Sequence, residues 1–370
     1  MDNITAALLL YSIDDINSKR FKELIDNFNE PKNVFNASEK ELKKINNITS
    51  KIIYKIQRAK LSAEISDILE TCKKHNFNII YYGAKDYPEN LANLEMPPPI
   101  LYTTQNLIAK DNNAVAVIGS RFACKYAVGV TENFTEKLCN CGFTIVSGFA
   151  KGIDICAHNT AVKSNGRTIC VLGTGLMRKC IYPAEHRYFY DKFLENPNVV
   201  FLTEYPPNTI AAKQNFPARN RIISGLSLGV LVVQAGKKSG ALITAEMALE
   251  QNREVFAIPD RIGSINSFGT NELIKLGKAK LTQSVDDILD ELRPDYSEFN
   301  TVEQVSIATK KLKLSEFEEK VLNTLTPLPR KLSDLADALD MPEHNLAAVL
   351  TKLELKNLVR QLPGHLYCIK

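Results

Sequence analysis

The feature that most constrains this chain is a series of short apolar, β-branched runs spaced through residues 114–260. They are AVAVIGS (114–120), FTIVSGF (143–149), RTICVLGTG (167–175), NVVFLTEY (198–205), LGVLVVQAG (228–236) and EVFAIPD (254–260). Between them lie stretches whose apolar residues recur at three- and four-residue steps, such as CKYAVGVTENFTEKLCNCG, GIDICAHNTAVKS and SGALITAEMALEQ. Fully apolar strands alternating with helices predict an α/β fold whose parallel sheet is covered on both faces. EVFAIPD ends the expected series.

The flanks read differently. Residues 1–75 form short helical patterns, FKELIDNF, SEKELKKI and ITSKIIYKIQRAKLSAEISDIL, with Ser38 and Glu41 at capping-box spacing. EMPPPILYT (95–103) carries three consecutive prolines, which forbid a helix and predict an extended connection. After the acidic DDILDEL (286–292), a polar linker is expected over 296–312. Residues 313–370 then read as three helices and a hairpin, the pattern of a winged helix–turn–helix. The expected domains are therefore 1–75, 76–295 and 313–370.

No apolar run approaches the ~18 residues of a membrane span. The opening MDNITAALLLYSIDD lacks the basic segment of a signal peptide, so a cytoplasmic protein without a membrane partner is expected. The eight cysteines form no CxxC pair and meet no histidine cluster, so neither a metal nor a cofactor is expected. Net charge is only +4, but residues 114–285 hold 20 Lys/Arg against 12 Asp/Glu, whereas residues 313–370 hold eight of each. That surplus on the sheet region suits a polyanion.

In an open parallel sheet, ligands bind beyond the carboxyl ends of the strands. The turns expected there are Gly119, Ser120, Arg121; then Ser147, Gly148, Lys151, Gly152; then Gly173, Gly175, Arg178, Lys179; then Lys237, Lys238, Ser239, Gly240, Thr244. Glycines admit close backbone approach, helix-start amides attract anions, and each turn adds a cation. The pattern predicts a phosphate-rich ligand. FPARNR (216–221) opens near the same rim. Arg219 and Arg221, flanking Asn220, suit forked phosphate contacts, and Phe216 suits base stacking.

IGSR, SGFAKGIDICAH, FPARNRIISGLS, SGALITA and GTNELI, in this order, resemble the DNA-processing protein A family, DprA or Smf. The resemblance implies an extended Rossmann-like parallel sheet domain. A helical N-terminal domain of the SAM or helix–hairpin–helix kind and a C-terminal winged-helix domain would flank it. It further implies a homodimer that binds single-stranded DNA, protects it, and loads the RecA recombinase in natural transformation or recombination, without enzymatic activity. Carried onto this chain, the DNA contacts would be Gly119, Ser120, Arg121, Ser147, Gly148, Lys151, Gly152, Phe216, Arg219, Asn220, Arg221, Lys237, Ser239, Gly240 and Thr244. Met177 stands where the family commonly has aspartate, His186 where it often has asparagine, and Asp260 where glycine is usual. SIDDINSKRF replaces the expected glycine-bearing hairpin turns of the N-terminal domain.

Three rival readings compete. Ser147, Asp154 and His158 lie within twelve residues, but VSGFAKG is not the nucleophile elbow that a hydrolase needs. QAGKKSGALITAE distantly resembles the PGGxGTxxE motif of nucleotide phosphoribohydrolases, with Glu246 as its acid. The winged helix could read duplex DNA, yet its candidate recognition helix has Glu343 and Glu354 balancing Lys352 and Lys356.

Overall fold

The computed structural model describes residues 1–292, 315–325, 330–339, 341–356, 358–362 and 366–369. The linker expected at 296–312 lies outside the described residues. Two compact units result, Met1–Pro294 and Asp295–Lys370.

The first unit is built on a nine-stranded sheet. Its strands are β1 (Asn78–Tyr81), β2 (Ile100–Thr103), β3 (Ala114–Gly119), β4 (Thr144–Ser147), β5 (Thr168–Val171), β6 (Val199–Thr203), β7 (Gly229–Gln234), β8 (Glu254–Ala257) and β9 (Lys280–Leu281). The spatial order is β1-β2-β6-β5-β4-β3-β7-β8-β9. From β6 to β9 every neighbouring pair is parallel. β1 and β2 add an antiparallel edge, pairing with each other and then with β6. The prolines of EMPPPILYT thus lead into a strand, and the short β9 follows the expected last one. Residues 114–118 of β3 and all residues of β4 to β7 are buried. Successive side chains in a strand point to opposite faces, so both faces of this sheet are covered.

Six helices between Asn3 and His75 precede the sheet. Ser38 and Glu41 form the expected capping box. Helices Ser50–Arg58 and Ala63–His75 are separate, and Asn3–Tyr11 is an additional helix. Leu8, Phe21 and Ile56 share one buried hydrophobic core with Ile100, Leu101 and Tyr102. The N-terminal helices and the sheet thus have a common core within the unit Met1–Pro294.

The second unit has helices Glu316–Thr324, Leu332–Leu339 and Glu343–Leu355 beside an antiparallel sheet of Arg330–Lys331, Leu366–Ile369 and Val359–Leu362. Val321, Leu335, Leu346, Leu350, Val359 and Tyr367 form its core. This is a winged-helix arrangement. No helix among the described residues is long and apolar enough to cross a membrane.

Candidate nucleic-acid interface

From β3 the chain runs outward through β4, β5 and β6, then returns to β7 on the other side of β3. The carboxyl ends of β3 and β7 therefore flank the topological switch point, where open α/β sheets take their ligands. Gly119 closes this point tightly: a Cβ there would lie 2.9 Å from the Gln234 carbonyl oxygen. The Cys124 amide donates to Gln234 Oε1 at 3.2 Å, tying the turn after β3 to β7. Arg121 is exposed on that turn, beside Phe122, which is 84% exposed. Lys237 and Lys238 are exposed on the turn after β7, with Lys237 Nζ 5.4 Å from the centre of the Phe268 ring.

The turn after β4 packs directly on the turn after β3. Gly152 has φ of +78°, and a Cβ there would overlap the Ser120 carbonyl oxygen and lie 2.8 Å from the Arg121 carbonyl carbon. Only glycine fits both the positive φ and the contact. Lys151 pairs with Glu185 at 2.9 Å; both are exposed, so the pair holds the lysine weakly. Ser147 departs from the expected contact set: it is fully buried, and its hydroxyl donates to the Val117 carbonyl at 2.7 Å. Gly148 is also buried, with its N–H donating to Asp154 Oδ2 at 3.1 Å. Burial pushes the Asp154 carboxyl up from its ordinary pKa, and the nearby Arg219 charge opposes that rise.

The motif that suggested phosphate forks is folded inward. Arg219, on helix Asn215–Leu226, is only 5% exposed. Its Nη1 donates to the Gly148 carbonyl at 2.7 Å and to the Val171 carbonyl. Its Nε donates to Asn220 Oδ1 at 3.3 Å. Arg221 is ion-paired with Glu204 at the end of β6. Neither guanidinium stands free at the surface. Thr244 is likewise buried, on the face of helix Gly240–Glu250 that carries Ala241, Ala245 and Ala248. Ser239 caps that helix, accepting the Ala241 amide at 3.3 Å. Phe216 does reach the rim: its ring lies against Gly173, where a Cβ would come within 2.9 Å of it. The half-exposed Tyr182 lies beside it, with ring centres 5.3 Å apart.

Comparison with known proteins decides the family. Residues 78–293 match the family model of DNA recombination-mediator protein A, and residues 308–365 match the DprA winged helix domain. Protein Smf of Synechocystis is 32% identical, with 94% of each chain covered. The chain belongs to the DprA/Smf family. DNA processing protein DprA of Bacillus subtilis is 39% identical over 61% of this chain and 74% of its own length. The crystal structure of DprA from Streptococcus pneumoniae superposes with a TM-score of 0.66 at 33% identity, covering 79% of this chain and 98% of that one. DprA from Helicobacter pylori, whose structure describes a single-stranded DNA binding mode, gives a TM-score of 0.52 at 29% identity, covering 59% and 96%.

Within this DprA framework the residues of the rival readings have other partners. Ser147 and His158 have other partners: His158 Nδ1 bonds the Thr168 hydroxyl at 2.7 Å, and Asp154 takes the Gly148 and Ala150 amides. Burial holds the His158 pKa down at about 3. Asp154 and His158 thus bond separate partners. Glu246, the acid of the phosphoribohydrolase reading, is bridged to Lys278 at 2.7 Å. No group of three or more potential metal ligands occurs among the described residues. His186 bonds the Phe149 carbonyl through Nδ1 at 2.9 Å.

Two rim residues escaped sequence reasoning. Lys213 is exposed three residues ahead of Phe216, and Tyr182 abuts the Phe216 ring. Their signals were proximity to FPARNR and an aromatic placed after a glycine-rich turn.

Proposed function

We propose that this DprA-family protein binds single-stranded DNA along the carboxyl rim of its sheet, as a binding protein and not an enzyme. One observation carries the reading: Phe216 is seated on Gly173 at a rim whose exposed side chains include Arg121, Lys213, Lys237 and Lys238. An aromatic platform beside a row of cations is what a single strand needs, since stacking tolerates any base and the cations track its backbone. Gly119, Ser120, Gly152, Ser239 and Gly240 shape the rim and bring backbone amides near the strand, with Lys151 and Asn220 flanking it. The likeness to the Helicobacter pylori protein supports the same ligand. Protection of incoming DNA, loading of the RecA recombinase onto it, and a homodimeric state complete the proposed role in transformation or recombination.

The test is fluorescence anisotropy of labelled oligothymidine over a salt series. Four phosphates neutralised by Arg121, Lys213, Lys237 and Lys238 give a log–log slope of about −3. That is roughly 50-fold weaker binding at 200 mM than at 50 mM salt. A slope near zero overturns the reading. Faster RecA filament growth on DNA carrying this protein is the expected result for loading.

A further inference from the structure

We infer that Arg219 and Asp154 form an internal brace that positions the rim, and that neither touches DNA. This inference rests on the proposed single-strand reading for its binding consequences. The two residues hold opposite ends of one residue. Asp154 Oδ2 accepts the Gly148 N–H at 3.1 Å, and Arg219 Nη1 donates to the Gly148 carbonyl at 2.7 Å. A Cβ at position 148 would lie 2.6 Å from Arg219 Nη2 and 2.8 Å from Asp154 Oδ2, so the residue is enclosed by its clamps.

The same guanidinium reaches the Val171 carbonyl, which ends β5. Arg219 therefore ties together the ends of β4 and β5 and the helix that carries Phe216. Ala150 gives Asp154 a second amide at 3.4 Å, which fixes the turn up to Gly152 with its positive φ. Phe149, between the two clamped residues, is itself held at φ of +55°, a conformation that a non-glycine residue keeps only when its surroundings impose it. Because the turn after β4 touches the turn that carries Arg121, and the Arg219 helix carries Phe216 in its first turn, the brace sets the spacing between the cation and the stacking ring. Arg219 is a positioning residue here, and so is Asp154.

Contact and positioning predict opposite results. Removing the Asp154 charge from a basic rim would tighten DNA binding if electrostatics alone mattered. The brace predicts that Asp154→Ala weakens it by about tenfold, within the range lost with one stacked base. Arg219→Gln would flatten the log–log salt slope by about 0.7 if the guanidinium neutralised a phosphate. The brace predicts weaker binding with the slope unchanged. In both variants, amide exchange over residues 147–152 should rise while the rest of the sheet stays protected. A 2-aminopurine base should also be quenched less at saturating protein, an effect that lost stability alone does not produce. If Asp154→Ala fails to fold, Arg219→Gln decides: unchanged binding with native exchange over 147–152 overturns the brace.

Tightened or unchanged binding by folded Asp154→Ala, or a flattened slope in Arg219→Gln with native exchange, overturns the brace. Failure of the native protein to bind oligothymidine would overturn the proposed function instead. Exchange over 147–152 would still decide the brace.

Discussion

Gly152 offers a test in which the structure supplies both the cost and its control. Alanine at 152 must adopt φ of +78°, and its Cβ must displace the Ser120 carbonyl, which belongs to backbone and not to a flexible side chain. That φ paired with ψ of −121° lies outside the left-handed helical region and costs of order 1–3 kcal/mol for a non-glycine residue. The overlap adds about 1–3 kcal/mol, as forced overpacking does. Gly142 also has a positive φ, +82°, yet nothing lies within 4 Å of the Cβ that alanine would add. Gly142→Ala should therefore cost only the conformational part, roughly 1–2 kcal/mol. Urea unfolding followed by far-ultraviolet circular dichroism gives both midpoints, with equal slopes licensing their comparison. The expected order is native, then Gly142→Ala, then Gly152→Ala. Under conditions where both variants are folded, only Gly152→Ala should lose oligothymidine affinity, because only position 152 joins the two rim turns. Equal destabilisation by the two substitutions would refute the claim that the turns are locked by backbone contact.

Other predictions follow from the same geometry. Arg167 and Asp111 form a buried two-point ion pair at 2.6 and 2.8 Å, so Asp111→Ala should cost about 3–5 kcal/mol in urea unfolding by stranding the guanidinium. A loss under 1 kcal/mol would show the charge finds another partner or water. Burial holds the folded His158 pKa at about 3, against 6.5 when free, so the unfolded chain binds more protons between those values. Stability should therefore fall as pH drops from about 6.5 toward 3, and His158→Gln should flatten that limb; unchanged slopes would count against it. Phe216→Ala should weaken oligothymidine binding by roughly 1–3 kcal/mol without altering its salt slope, and a slope change would assign the ring an indirect electrostatic role.

The parallel sheet was legible because its strands are buried on both faces and read as continuous apolar runs. β9 has two residues, Lys280 and Leu281, too few to show any period. β2 hides behind prolines that signal only an extended chain, and its antiparallel pairing depends on β6, about a hundred residues away. The rim was legible as glycines and cations, but the direction of each side chain was not. Arginine is exposed by default, so FPARNR reads as a phosphate grip. A helical period contradicts that reading: Arg219, Ile222, Ile223 and Leu226 occupy one buried face. Thr244 falls in the same kind of pattern with Ala241, Ala245 and Ala248. The carbonyls that satisfy Arg219 come from the turn after β4 and the end of β5, and no local pattern announces them. The shared core of the N-terminal helices and the sheet is equally non-local.

The most direct measurement compares native protein with Arg121→Ala for oligothymidine binding by anisotropy between 50 and 200 mM salt. The rim account predicts weaker binding by the folded variant and a log–log slope flattened by about 0.7, the share of one phosphate. Identical affinity and slope would contradict it and place the DNA elsewhere on the molecule.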